Sequence, residues 1–109
     1  MGPDIYGIID LNDLRKCVGL TISEFDDELK ILGDSAIKKM ILSGIHVSRI
    51  RKEDSYVKQT IMAYIRANYR YTDPKIANEN KIIFEENKNF MRNTTEYTTE
   101  YVQEDNQNG

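Results

Sequence analysis

The stretch that decides the fold runs from Asp54 to Pro74, DSYVKQTIMAYIRANYRYTDP. Asp54 or Ser55 predicts a helix start, because a short side-chain oxygen accepts a hydrogen bond from the free backbone N–H groups of a first turn. Val57, Ile61, Tyr64, Ile65 and Asn68 recur at three- and four-residue steps and share one helical face. Lys58, Arg66 and Arg70 fall mostly on the other side. Asp73-Pro74 closes the segment, since the residue before a proline is pushed out of the helical region. Other helical stretches are shorter on apolar residues or interrupted by glycine, so this helix is expected at the centre. Periodicity of this kind specifies a small helical domain and leaves its function open.

Upstream, Asp10 is the expected N-cap of a short first helix, Leu11 to Val18, with Asp13 reinforcing its positive end. Leu11, Leu14, Cys17 and Val18 form its apolar stripe, and Gly19 stops it in the left-handed conformation that glycine tolerates. Residues 1–9 read as an extended lead-in, broken by Gly2, Pro3 and Gly7. Ser23 is the expected cap of a second helix, with Glu24, Asp26 and Asp27 in its first turn. Phe25, Leu29, Leu32, Ala36 and Met40 make its stripe, Lys38 and Lys39 suit its last turns, and Ser43-Gly44 ends it. Gly33 costs about 1 kcal/mol relative to alanine in mid-helix. It either lets another helix approach closely or divides the segment, and one long helix is the favoured reading. In the connection IHVSRIRKE, residues 45–53, Ile45, Val47 and Ile50 alternate with polar partners, which suits a short extended piece. Arg49, Arg51 and Lys52 make it the most basic stretch: a solvated loop, or a contact surface for an acidic neighbour or nucleic acid.

Downstream, Asp73 at the N-cap and Pro74 at the first helical position open a fourth helix reaching about Met91. Ile76, Ile83, Phe84, Asn87 and Phe90 are its expected inner side. Its asparagines lower its intrinsic propensity, so packing must hold it. The end of the chain carries a tandem repeat, Thr94-Thr95-Glu96-Tyr97 and Thr98-Thr99-Glu100-Tyr101, and fades into EDNQNG. Threonine and tyrosine favour strands, and a lone strand cannot satisfy its backbone within a helical domain. The tail is therefore expected to be flexible, or to pair with an edge from another subunit or partner. The reading is all-α: four helices, one short and three longer, over residues 1–93, with an extended, strand-prone acidic tail over 94–109.

The totals agree with one small globular unit. Over 109 residues, 39% are hydrophobic and 30% charged. No apolar run approaches the roughly 20 residues that cross a bilayer. The start, MGPDIYGIID, lacks the basic and apolar regions of a signal peptide, so an intracellular location is expected. Cys17 and His46 are the only residues of their kinds, which excludes an internal disulfide and a zinc site of several thiolates. A Cys17–His46 nucleophile pair is arithmetically possible, but Cys17 lies in an apolar helical pattern and His46 in a loop, which favours an inert cysteine. The net charge is −3. Residues 96–109 hold four of the 18 acids and no base, leaving 14 acids against 15 bases in the body. A body so close to neutral does not suit a protein that wraps DNA by phosphate neutralisation.

No glycine-rich phosphate loop, HExxH, CxxC or GxSxG occurs. Asp26-Asp27-Glu28 is a capping acidic turn rather than a metal cluster, because adjacent residues on a helix point in different directions. Tyr64, Tyr69 and Tyr71 interleave with Arg66 and Arg70, a combination that can stack on bases, although helical tyrosines are more often half-buried packing residues. No catalytic, cofactor-binding or metal-binding residue is expected, and an enzyme is improbable.

Three pieces together resemble the head–tail connector family of long-tailed bacteriophages and prophages, often labelled DNA-packaging proteins. They are LNDLRKCVGLTISEFDDELKILGDSAIKKMILSGI, then DSYVKQTIMAYIRANYRYTDP, then the helix after that proline with its variable tail. The resemblance covers about residues 8–92 and lies in the order and spacing of the pieces. It implies a helical adaptor subunit without cofactor that forms a ring of about twelve copies below the portal protein. Such a ring extends the DNA channel, passes genomic DNA without reading its sequence, and docks the tail-completion or stopper protein. It implies the host cytoplasm during assembly, then the virion, with no membrane association. The asparagine-rich fourth helix and the TTEY repeat depart from the family pattern. Rings use heterologous contacts, and charge segregation makes Arg49, Arg51 and Lys52 candidates to meet Glu96, Tyr97, Glu100, Tyr101 and the rest of the acidic tail of a neighbour. The alternative is a small helical DNA-binding or regulatory domain that uses the Tyr/Arg face and the basic loop.

Overall fold

Five α-helices, α1 (Leu11–Cys17), α2 (Asp26–Leu42), α3 (Ser55–Asn68), α4 (Pro74–Arg92) and α5 (Thr95–Thr98), and two 3-10 turns, Ile5–Gly7 and Val47–Arg49, form the regular structure of residues 2–103. These are the residues that the computed structural model describes, and no strand occurs among them. Asp54 caps α3: its carboxylate accepts the Val57 N–H at 3.0 Å. Val57, Thr60, Ile61, Ala63 and Ile65 are buried, because α3 packs against α1 and α2 on one side and α4 on the other. The central position expected for this helix is the one it takes. Two covered flanks bury Thr60 and Ala63 as well, while Asn68 stays exposed.

The first helix also starts where its cap requires, with Asp10 accepting the Asp13 N–H at 2.9 Å, and Gly19 follows it at φ +77°. The second does not. Ser23 heads a turn, its carbonyl accepting the Asp26 N–H at 3.2 Å, and α2 begins two residues later than a Ser23 cap requires. Arg15 fixes that start by gripping both Asp26 carboxylate oxygens, Nε to Oδ1 at 2.8 Å. The guanidinium holds the Asp26 carboxyl below the usual carboxylate range. Leu29, Ala36 and Met40 are buried as their spacing predicts, joined by Gly33 and Ile37.

Within the expected lead-in at residues 1–9, residues 5–9 do not run extended. Ile5, Ile8 and Ile9 enter the core around the Ile5–Gly7 turn. Gly33 makes the room: a Cβ there would lie 2.5 Å from Ile5 Cγ1. The close approach anticipated at Gly33 is thus made by the N-terminal turn, and α2 runs through unbroken. Asp34 ties the turn down, accepting the Ile5 N–H at 2.8 Å, while Lys30 bridges Asp34 and Asp4.

The connection at 45–53 is likewise not extended. His46 Nδ1 accepts the Ser48 N–H at 3.1 Å and caps the Val47–Arg49 turn, while Ile45 and Ile50 are buried on either side. Asp73 caps α4 through the Lys75 and Ile76 N–H groups, with Pro74 in its first turn. The inner face of α4 is not the one its isoleucines mark. Phe84 is buried and Asn87 half-buried as expected, joined by Asn80 and Met91, whereas Ile76, Ile83 and Phe90 stand exposed. Polar partners on α3 decide this: Asn87 accepts from the Tyr56 hydroxyl at 3.0 Å and donates to Thr60 Oγ1 at 3.2 Å. Phe84 stacks at 4.9 Å on Tyr64 between the same helices.

Candidate interaction surfaces

The basic loop and the start of the acidic tail meet within a single chain. The first TTEY copy forms α5 rather than a strand, because Thr94, Thr98 and Thr99 hydroxyls donate back to the carbonyls four residues earlier. This turn brings Tyr97 into the core at 8% exposure, where its hydroxyl donates to Asp54 Oδ2 at 2.9 Å. Burial and that bond to a carboxylate push the Tyr97 phenol well above its ordinary value. The His46 N–H donates to the Tyr97 carbonyl at 2.8 Å.

Beyond α5 the chain runs along the loop like a strap. Arg49 donates to the Thr99 carbonyl at 2.9 Å and the Glu100 carbonyl at 3.3 Å. The Tyr101 N–H donates to Ser48 Oγ at 2.7 Å. Arg51 lies over the Tyr101 ring at 3.9 Å from its centroid, with Arg49 at 5.2 Å. A tail that lacks a partner in its own chain is therefore corrected for residues 94–101. Of the candidate interface residues, Arg49, Arg51, Tyr97 and Tyr101 come together; Lys52, Glu96 and Glu100 point their charges into solvent. The arginines engage backbone carbonyls and a ring, not the carboxylates of Glu96 and Glu100. Glu104 and Asp105 lie outside the described residues.

The other singled-out residues are committed elsewhere. Burial pushes the Cys17 thiol up to about 11, so it is protonated and a poor nucleophile at neutral pH. His46 serves as a turn cap. Arg66 donates to the Cys17 carbonyl at 2.9 Å, Arg70 pairs with Glu28 at 3.0 Å, and Tyr69 is buried edge-on against Phe25. Tyr71 keeps an exposed face, but Phe25 and Tyr69 pack on its ring as well. No group of three or more metal-ligating side chains occurs among the described residues, and none of their helices is long and apolar enough to cross a membrane.

Comparison with family models, curated proteins and solved structures gives no match. The site must therefore be read from the molecule itself.

The surface feature that the expected site residues do not include is on α4. Ile76, Ile83 and Phe90 stand two helical turns apart at 47%, 43% and 58% exposure, with Ile82 beside them. Lys81 and Lys88 line the groove shared with α2 and α3, on the flank of α4 opposite Ile83. The stripe thus faces away from α2, and Tyr56 of α3 packs edge-on to Phe90 at its end, 5.9 Å between ring centroids. Its seven-residue spacing is legible in the sequence; what hid it was the presumption that an apolar stripe is the buried one.

Proposed function

We propose that this chain is a structural adaptor subunit, a head–tail connector of the long-tailed bacteriophage type. It works as one of many copies in a ring below the portal protein, extending the DNA channel and docking the tail or stopper. It turns over no substrate and holds no cofactor. One observation carries the reading: α4 leaves Ile76, Ile83 and Phe90 exposed at a regular seven-residue spacing. Exposed apolar side chains aligned along one helix in this way mark a protein-contact surface. The helical order that resembles connector subunits supplies the class of assembly. Docking of the tail start onto the basic loop, as a rigid edge, suits a subunit that stacks against neighbours.

A DNA-binding domain is the less favoured reading, since Arg66, Arg70, Arg49 and Arg51 are all held by partners within the chain. The test is electron microscopy of the purified chain mixed with the portal protein encoded in the same genome. An added annular layer is the expected result. Steeply salt-sensitive duplex binding without such a layer would transfer the weight to DNA recognition.

A further inference from the structure

We infer that the α4 stripe of one copy packs on the outer face of α2 in the next copy; this rests on the ring reading above. Opposite its buried side, α2 presents Ile31 and Leu42 at 64% and 75% exposure. They are three turns apart, so the pair spans about 16 Å, against about 21 Å from Ile76 to Phe90. Ser35 and Lys38 lie on the same line between Ile31 and Leu42, so this α2 face is apolar at its two ends and basic near its middle, over a length that one helix crossing another can cover.

Charge selects this pairing over a contact between two α4 stripes. Glu79 and Glu86 border the α4 stripe, while Lys38 lies on the outer face of α2 with Lys39 beside it; none of the four has a salt-bridge partner among the described residues. Stripe against stripe would set Glu79 and Glu86 against their own copies, whereas stripe against α2 sets them against lysines. The two surfaces lie on different sides of the monomer, so neither can satisfy the other within a chain. Two different complementary patches make a heterologous contact, which propagates into a ring or filament instead of stopping at a dimer. Whichever way the helices run, centring the ridges brings Glu86 to within about a turn of Lys38.

The test is disulfide trapping with full-length chains carrying Lys38→Cys or Glu86→Cys, one tagged to distinguish it by mass. The two are mixed and mildly oxidised beside an Asn12→Cys plus Glu86→Cys control. The inference expects the 38–86 heterodimer in several-fold excess over that control, and loss of the excess when Ile83→Asp is added to the Glu86→Cys chain. A yield equal to the control, or an excess of 86–86 homodimer, overturns it. The connector reading fails separately: trapping can succeed while no annular layer forms on a portal, and trapping can fail while the layer forms through another face.

Discussion

Asp54 and Tyr97, 43 residues apart, share one carboxylate between two jobs: Oδ1 caps α3 through the Val57 N–H, and Oδ2 accepts the Tyr97 hydroxyl. The end of the helical body is thereby latched to the start of its central helix. Asp54→Ala should cost about 1 kcal/mol for the cap and about as much again for the bond to Tyr97. Tyr97→Phe should cost only the second part. Chemical denaturation of both variants checks the split, and equal losses would contradict the double role.

The same bond sets a pH dependence. The Tyr97 phenol titrates from 10.0 in the unfolded chain and higher in the folded one. Its contribution to stability is therefore complete below pH 10 and is lost as the pH rises above it, because the unfolded chain releases the proton first. Wild type should lose stability faster than Tyr97→Phe between pH 10 and the alkaline limit of the fold. Parallel melting curves through that window would refute the latch.

Gly33 offers a test of the N-terminal turn. Alanine in mid-helix gains about 1 kcal/mol of propensity, but its Cβ would meet Ile5 at 2.5 Å, and overpacking of this kind costs about 1–3 kcal/mol. The clash should win, so Gly33→Ala is expected to destabilise. In an Ile5→Ala background the penalty should shrink, a coupling that a double-mutant cycle reads directly.

Cys17 should react slowly. With its thiol moved from 9.0 to about 11, the thiolate fraction near pH 8 falls about 100-fold relative to a free cysteine of that ordinary value. Alkylation in the native state should be clearly slower than in the unfolded state, although by less than that factor because a more basic thiolate is the better nucleophile, as mass spectrometry can follow.

The parts legible in the sequence were those set by one residue's local chemistry. Asp10, Asp54 and Asp73 begin their helices where they stand, and Gly19 ends one, because caps act within a single turn. What escaped depended on partners distant in the chain. Ser23 lost its cap role to Arg15 gripping Asp26, and three isoleucines near the N-terminus found a seat only because Gly33 lies 28 residues from Ile5. On α4 Phe84 and Asn87 face inward as expected, but the buried set is completed by Asn80 and Met91, and Ile76, Ile83 and Phe90 at the edge of that face are left exposed. The threonines of the tail bonded back to the preceding turn, against their preference for strands. Of the expected interface, Arg49 and Arg51 meet the start of the tail within the chain, through backbone carbonyls and the Tyr101 ring rather than through the charges of Glu96 and Glu100 that the sequence displays.

The most direct test of the account compares wild type with Ile83→Glu in mixtures with the portal protein, by electron microscopy and mass measurement of the complex. Ile83 is partly exposed, so the variant should keep its helical circular dichroism and melt within about 5 °C of wild type. Wild type is expected to add an annular layer of many copies, and the folded variant none. A layer that forms equally well with both proteins would contradict the role given to α4, and a folded wild type that adds no layer would contradict the adaptor itself.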